Sequence, residues 1–227
     1  MNSPSFLIEA FFRPDLIIRF APEIAKAMIV TVRLAVLVVV TGILLGLVLA
    51  ILRTFGFRPI NFCIIVAVDL FRALPPLVLI LLLYFGLPSL GIFLSSFQVL
   101  WLGLGLVLSA FAEEIFWAGI LSVRKGQWEA ARSTSLTFAQ TLAYIVLPQA
   151  IRLTVAPLTN RTIGITKNTA LGGVIGVPEI LNVATTAQSF VGNSTPLMIG
   201  ALAYVLLFIP VVIFGRWLET RFAWRRY

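Results

Sequence analysis

Residues 28–52, MIVTVRLAVLVVVTGILLGLVLAIL, decide the class of fold. A helix rises about 1.5 Å per residue, so this run is long enough to cross a hydrocarbon core of about 30 Å. Arg33 is the one charged residue within it. Because backbone amides in lipid need partners inside the same segment, the run favours a helix. We therefore expect an integral membrane protein.

Four further windows are apolar enough to cross a membrane. The fourth of the five windows along the chain contains Arg152, Asn160 and Arg161, but its apolar positions still recur at helical spacing. The sequence therefore predicts an all-α integral membrane fold with five transmembrane helices and termini on opposite sides. The four further windows are residues 62–85, 98–121, 145–166 and 197–215.

Composition restricts the possible functions of the chain. It has 227 residues, of which 60% are hydrophobic and 11% charged, and this leaves room for one membrane domain without a second globular one. Cys63 is the single cysteine, which excludes an internal disulfide and a thiolate metal cluster. The absence of histidine removes the usual general base and the commonest metal ligand. We expect no metal site and no catalytic residue.

The net charge of +8 predicts an orientation rather than nucleic-acid binding, because basic residues collect at the edges of the apolar windows. If the N-terminus is outside, nine basic residues fall on the inner side and four on the outer side. The sequence thus favours an outer N-terminus and a cytoplasmic C-terminus. The inner set is Arg53, Arg58, Arg124, Lys125, Arg132, Arg216, Arg221, Arg225 and Arg226, and the outer set is Arg13, Arg19, Lys26 and Lys167.

The chain is expected to have three parts. Residues 1–26 are predicted to be a periplasmic or interfacial segment, with a helix over about residues 5–25 that lies on the outer leaflet. Its charges interrupt any early apolar region, so we expect an uncleaved anchor and not a signal peptide. Residues 27–218 form the membrane domain, and residues 219–227 form a basic cytoplasmic tail.

Residues 123–149, VRKGQWEAARSTSLTFAQTLAYIVLPQ, are a long polar stretch inside this apolar chain. The span from Gln127 to Ser133 is rich in helix formers, and the small residues that follow predict a bend. Thr137 and Gln140 have the spacing of a capping box that begins a second helix. Pro148 is expected to kink or restart that helix where it enters the membrane.

This helical hairpin has two interpretations that the residues alone leave open. It is either a docking element or an ordinary solvated loop with a helical turn. In the first case it would present Trp128, Ala131, Arg132 and Leu136 to a groove of a partner.

The hairpin resembles the cytoplasmic loop motif of permease subunits in bacterial ABC importers. The motif residues are Glu129, Ala130 and Ala131, followed by Ile145, Leu147 and Pro148. In that family the short helix is a coupling helix that sits in a cleft of the ATPase subunit. Ser135 stands where the family has a glycine. If the family's bend requires a positive φ at this position, Ser135 is expected to strain the bend or to shift it. The resemblance assigns ATPase coupling to Gln127, Trp128, Glu129, Ala130, Ala131, Arg132 and Ser135.

The resemblance extends over nearly the whole chain and is greatest to the polar amino-acid branch of that family. It departs from the family at Ala73, Leu74, Trp117, Arg161 and Thr162, which lie near the expected pathway. The matching residues are Thr31, Val32, Leu34, Phe71, Arg72, Pro75, Tyr84, Phe85, Gly86, Leu87, Pro88, Glu114, Ile115, Phe116, Gly119, Ile120, Gln149, Ala150, Pro157, Leu158, Asn160, Lys167, Thr169, Leu171, Ile175 and Glu179.

The resemblance implies several partners. No Gly-x-x-x-x-Gly-Lys-Ser/Thr phosphate loop occurs in the chain, so ATP and Mg²⁺ are expected on a separate ATPase dimer, and no cofactor is expected on this chain. A periplasmic substrate-binding protein and a second permease, either an identical copy or a paralogue, complete the expected complex in the bacterial inner membrane. The expected cargo is a polar amino acid or a related small molecule.

Charged and polar side chains inside the expected spans have two interpretations. They either form inter-helix salt bridges that only fix packing, or contact the solute directly. Arg72 is expected near the middle of the second span, with Asp69 three residues earlier on the same helical face. The candidate pathway residues are Asp69, Arg72, Glu113, Asn160 and Lys167.

Two rival functions follow from the same residues. Glu113 and Glu114 suggest an acid/base pair of a membrane enzyme, but adjacent helical residues diverge by about 100° and would not share a site. An ion channel or secondary transporter would need no ATPase. Gly172, Gly173, Gly176 and Pro178 allow either a broken helix near the pathway or a simple exit loop before a short surface helix.

Overall fold

The computed structural model describes residues 9–222, and the regular elements of this part of the chain are helical. The first eight residues of the expected N-terminal segment lie outside the described residues. So do residues 223–227 of the expected basic tail, including Arg225 and Arg226.

The chain order of the helices is simple. Helix α1 covers Pro14–Thr54, α2 Arg58–Ala73, α3 Pro76–Ser89, and α4 Ser96–Ser122. The polar hairpin consists of α5, Lys125–Ser133, and α6, Phe138–Thr141. A π-helical turn over Leu142–Val146 leads into α7, Leu147–Lys167, which continues as a 3₁₀ segment over Asn168–Ile175. Helices α8, Ile180–Val191, and α9, Thr195–Phe222, complete the described chain.

Helical segments around α1, α4, α7 and α9 are long and apolar enough to cross a membrane. Helices α2 and α3 pass the same test together and supply the fifth crossing when the broken pair counts as one span. The predicted all-α membrane fold is thus confirmed. The helical hairpin between the third and fourth spans is also present.

The first helix begins earlier than the hydropathy window. Helix α1 runs without interruption from Pro14, so residues 14–26 continue directly into the first span. The predicted boundary near residue 27 is therefore not a break in the backbone. Pro22 lies inside this helix. The charged residues Arg19, Glu23 and Lys26 are exposed, so the helix continues through this part of the chain without burying their charges.

The second span is broken, which corrects the prediction of one helix over 62–85. Leu74 has φ −76° and ψ 131°, an extended conformation that ends α2. The ring of Pro75 disfavours helical backbone at the residue before it, and Pro76 then occupies the first position of α3. Arg72 consequently lies in the last turn of α2, at the break, and not in the middle of a span.

The chain divides into two compact units. In the described residues, the first unit comprises 9–38, 76–104 and 165–212, and the second comprises 39–75, 105–164 and 213–222.

The core of the first unit joins α1, α8 and α9. Leu16, Phe20, Ile24 and Ala27 recur at helical spacing on α1 and pack with buried residues of α8 and with Ala203 of α9. Helix α8 buries Ala184 and Ala187 in this core and leaves Thr185 and Ser189 exposed, as expected for the short surface helix that one interpretation of Pro178 suggested. The 3₁₀ segment before it ends at Gly176, whose φ of 74° requires the conformational freedom of glycine.

A buried carboxylate begins helix α8. Glu179 accepts hydrogen bonds from the backbone amides of Leu181 and Asn182 at 2.9 Å and 2.6 Å. The Tyr204 hydroxyl of α9 donates to the same carboxylate at 2.6 Å. Burial raises the pKa of Glu179, while these three hydrogen bonds act to lower it. Glu179 therefore acts as a helix cap and fixes α8 to α9.

The second unit depends on close helix packing. Residues of α1, α4 and α7 form its apolar core, which includes Ala50, Ala112, Phe116 and Ala150. Gly46 lies against α4, where an added Cβ atom would stand 2.6 Å from the Cβ of Ala112 and 2.7 Å from the carbonyl oxygen of Ser109. Small residues allow such backbone approach between helices in membranes.

Candidate functional site

The second unit contains both sets of candidate functional residues: the hairpin of α5 and α6, and most of the charged residues of the spans. Asp69, Arg72, Glu113 and Asn160 fall in this unit, whereas Lys167 belongs to the first unit.

Helix α5 has one exposed face and one buried face. Gln127, Glu129, Ala130 and Arg132 are exposed, and Lys125 pairs with Glu129 at 3.5 Å one turn later. The helix begins after Arg124, which is extended, and Gly126 lies in its first turn.

Aromatic contacts anchor the buried face of α5. The ring of Trp128 stacks on that of Phe138 with centroids 5.5 Å apart, and Phe138 makes an edge contact with Phe55 at 5.7 Å. Ala131 is buried beside them. Trp128 and Ala131 therefore face the chain's own helices, which corrects the expectation that both side chains are presented to a partner. Arg132 is exposed, as expected.

The bend after α5 is left-handed. Ser135 has φ 64° and is the non-glycine residue with positive φ in the described part of the chain. Its backbone amide donates to the carbonyl of Arg132 at 3.1 Å, and the Thr134 amide donates to Ala131 at 3.2 Å. These bonds close the last turn of the helix. Glycine adopts this conformation without a steric penalty, so Ser135 is a strained substitute.

The second half of the hairpin forms as predicted. Thr137 and Gln140 make a reciprocal capping box, in which the Thr137 amide donates to Oε1 of Gln140 at 2.9 Å. The π-helical turn lies immediately before Pro148, and the Leu147 amide donates to Leu142, five residues earlier. Since proline cannot donate and its ring opposes the carbonyl four residues back, the wider turn accommodates it.

Glu113 and Glu114 have different partners, as their divergence on a helix predicts. Glu113 is fully buried and accepts from Arg53 of α1 at 3.0 Å. The Arg53 guanidinium also lies over the ring of Trp117, 4.5 Å from its centroid. Glu114 pairs instead with Arg72 of α2. These pairings do not support a shared acid/base site.

Arg72 and Asp69 are brought together by the last turns of α2. Their closest nitrogen and oxygen are 3.7 Å apart, and the Asp69 side chain is exposed. Arg72 thus bridges one acid on its own helix and Glu114 on α4, which supports a packing role. The expected same-face contact is confirmed.

Asn160 contacts α9. Its side-chain amide donates to Oε1 of Glu219 at 3.0 Å and to the Ala156 carbonyl at 3.3 Å. Lys167 is the last residue of α7 and is exposed. Arg161, one residue after Asn160, lies over the ring of Phe111 with its Cζ 3.1 Å from the centroid.

Sequence reasoning did not identify the partners of these charges. The charge distribution places Arg53 on the inner side of the membrane but does not predict its partner. No sequence pattern indicates a role for Phe111 or Glu219. Their roles depend on which helices are neighbours, which hydropathy does not specify. The functional roles of the predicted coupling and pathway residues stay predictions.

Comparison with known proteins adds a family match. The model of the family "Binding-protein-dependent transport system inner membrane component" matches residues 22–224. The chain is 35% identical over 196 residues to the "Probable glutamine ABC transporter permease protein GlnM" of Bacillus subtilis (strain 168), covering 84% of this chain and 89% of that protein.

Two further similarities cover more of the chain. The "Probable amino-acid ABC transporter permease protein YckA" of the same organism is 31% identical over 217 residues, 95% of this chain and 96% of its own length. A crystal structure of "an amino acid ABC transporter with histidines" superposes with a TM-score of 0.82 at 31% identity, covering 90% of this chain and 96% of the other.

Proposed function

This chain belongs to the family of binding-protein-dependent transport system inner membrane components, and on that premise we propose that it moves polar amino acids or related small molecules into the cytoplasm. As an importer permease it is a multi-pass protein of the inner membrane. The amino-acid class is supported by relatives that carry amino-acid permease names over most of this chain.

The observation that carries the proposal is the hairpin of α5 and α6. It is a polar helix closed by a left-handed bend and anchored by Trp128 and Phe138, with an outward face of polar side chains. A helix held in this way can transmit a push from a partner because its inner face is packed against the membrane helices. We assign the outward face, with Gln127, Glu129, Ala130 and Arg132, to the ATPase subunit.

The partners follow from this assignment. A dimeric ATPase binds ATP and Mg²⁺, and this chain supplies no catalytic group. A second permease, identical or paralogous, completes the pathway, and a periplasmic binding protein delivers the solute. In this arrangement the N-terminus is periplasmic and the C-terminus cytoplasmic, because the hairpin must face the ATPase.

Alternating access does not require that each intramembrane charge touch the solute. The fully buried Glu113 is engaged by Arg53, which supports a structural role for that pair. Asp69, Asn160 and Lys167 are exposed and remain available to the pathway. A channel or secondary transporter would have no use for the hairpin, which favours the importer.

Co-purification tests the function. Tagged permease is expected to recover an ATPase, and Glu129→Arg combined with Arg132→Glu is expected to reduce that recovery at least tenfold. Ser189→Arg, an exposed position on α8, is the matched control and is expected to change nothing. Uptake that persists after ATP depletion, or full ATPase recovery with the double variant, would contradict the proposal.

A further inference from the structure

Arg161 is a half-buried cation in the fourth span without an acidic partner. Among residues 9–222, no carboxylate lies within ion-pair distance of it. Its Nε atom is buried and has no hydrogen-bond partner in this part of the chain. The main contact of the guanidinium is the face of Phe111, 3.1 Å from Cζ to the ring centroid.

A second guanidinium reaches the same ring. The Cζ of Arg72 lies 5.4 Å from the Phe111 centroid, and the Nε of Arg72 is also buried without a partner. Arg72, Arg161 and Phe111 belong to the same unit of the fold. Two guanidinium groups therefore meet at one aromatic side chain, and because Arg72 is paired with Glu114 and Asp69, the unpaired charge is that of Arg161.

Neighbouring acids do not neutralise Arg161. The acids of the second unit each have another partner: Glu113 binds Arg53, Glu114 and Asp69 contact Arg72, Glu129 contacts Lys125, and Glu219 accepts from Asn160. A cation–π contact offsets part of the cost of a buried charge, but it leaves the N–H donors at the edge of the guanidinium unused. Arg161 is thus a positive charge with free donors.

The ligand chemistry follows from the geometry of the guanidinium. Its planar fork matches a carboxylate and can bind both oxygens through parallel hydrogen bonds. Phe111 holds the plane of Arg161, so less side-chain freedom is lost when an anion binds. The unpaired positive charge of Arg161 attracts a negatively charged group and repels a cationic solute.

We propose that Arg161, held against Phe111, binds a carboxylate of the transported solute and selects solutes of net negative charge over cationic ones. This inference rests on the proposed function and narrows its substrate class to acidic amino acids and similar small carboxylates. It concerns the selectivity of the permease itself, separately from that of its binding protein.

Direct binding to the purified permease in lipid nanodiscs tests the inference. The probes are radiolabelled L-glutamate, L-glutamine and L-arginine. Wild-type protein is expected to bind glutamate at least tenfold more tightly than arginine, and Arg161→Gln is expected to weaken glutamate binding at least tenfold. Arg161→Glu is expected to reverse the preference between glutamate and arginine.

Controls keep a folding defect separate from loss of the site. Arg152→Gln removes an exposed arginine from the same helix and is expected to leave glutamate binding unchanged. Arg161→Lys keeps the charge without the planar fork, so a folded protein with intermediate affinity is expected. Each variant is checked for monodispersity and thermal unfolding before binding is measured.

Several results would overturn the inference. These are absent glutamate binding by wild-type protein, tighter binding of arginine than glutamate, or unchanged glutamate binding in folded Arg161→Gln. Loss of permease self-association in that variant, with probe binding intact, would show that Arg161 pairs with a second copy instead. ATPase co-purification and ATP-dependent uptake are measured in parallel, so failure of the importer function is recognised by their absence in wild-type protein.

Discussion

Ser135 shows how one residue sets the geometry of the hairpin. Its φ of 64° is the left-handed conformation in which a β-carbon is crowded. The two hydrogen bonds that close α5 at Thr134 and Ser135 hold the residue there, so the chain keeps the bend at the expense of local strain.

Replacement of Ser135 by glycine should therefore stabilise the protein. We expect Ser135→Gly to raise the free energy of unfolding by about 1 kcal/mol, because the left-handed conformation no longer carries the Cβ penalty. The measurement is the shift in thermal unfolding in detergent. Ser133→Gly, at the end of α5, is the matched control and should give no gain, since helical backbone disfavours glycine. Equal shifts in the two variants would contradict the explanation.

The buried pair of Arg53 and Glu113 makes a second prediction at this scale. Glu113→Gln removes the only carboxylate that faces Arg53 among the described residues, leaving a largely buried cation. We expect a loss of about 3 kcal/mol in stability, as for other broken buried pairs. Glu129→Gln, which alters an exposed pair with Lys125, should change stability by less than about 0.5 kcal/mol. Similar losses for the two substitutions would show that Glu113 is not energetically coupled to Arg53.

At the scale of helices, close contact between α1 and α4 depends on Gly46. A methyl group there would meet Ala112 and the backbone of α4 at 2.6–2.8 Å, and backbone atoms cannot move aside as a flexible side chain would. We expect Gly46→Ala to cost about 2 kcal/mol through overpacking. Gly164→Ala on α7 is the control, because its added Cβ would have no neighbour within 4 Å. A neutral Gly46→Ala, measured by thermal unfolding, would refute close packing at this site.

Some helices could be predicted from the sequence because their signals are local. The capping box of Thr137 and Gln140 and a disturbed helix at Pro148 each follow from backbone chemistry within a few residues, although the π-helical form of the disturbance is seen only in the structure. The break at Leu74 also has a local cause in Pro75, but the continuous apolar window over residues 62–85 predicts a single helix. Helix α1 extends to Pro14 because charged residues are tolerated on the exposed face of a helix that already has an apolar stripe.

The charged contacts of the site could not be predicted in the same way. Arg53 and Glu113 are sixty positions apart, and their pairing depends on how α1 packs against α4. The inward orientation of Trp128 likewise requires Phe138 and Phe55 to be in place. Resemblance to a family suggests the function of the hairpin, whereas the orientation of each side chain is seen only in the structure.

For the whole molecule, five crossings require that successive loops alternate between the two sides of the membrane. The basic residues of the hairpin and the chain's nine-to-four charge bias predict that α5 is cytoplasmic. The loop between α3 and α4, which contains the exposed Leu90, should then be periplasmic.

Labelling of single cysteines tests this topology. In a Cys63→Ser background, we expect Leu90→Cys to react with a membrane-impermeant maleimide in whole cells. The cells are treated so that the reagent passes the outer envelope while the inner membrane stays intact. Ser133→Cys should react only in inverted inner-membrane vesicles, because the hairpin must meet an ATPase that has access to cytoplasmic ATP. Both positions are exposed, so a difference in reaction reports the side of the membrane rather than burial. Reaction of Ser133→Cys from outside would show that the topology is the opposite one, in which the hairpin cannot contact a cytoplasmic ATPase.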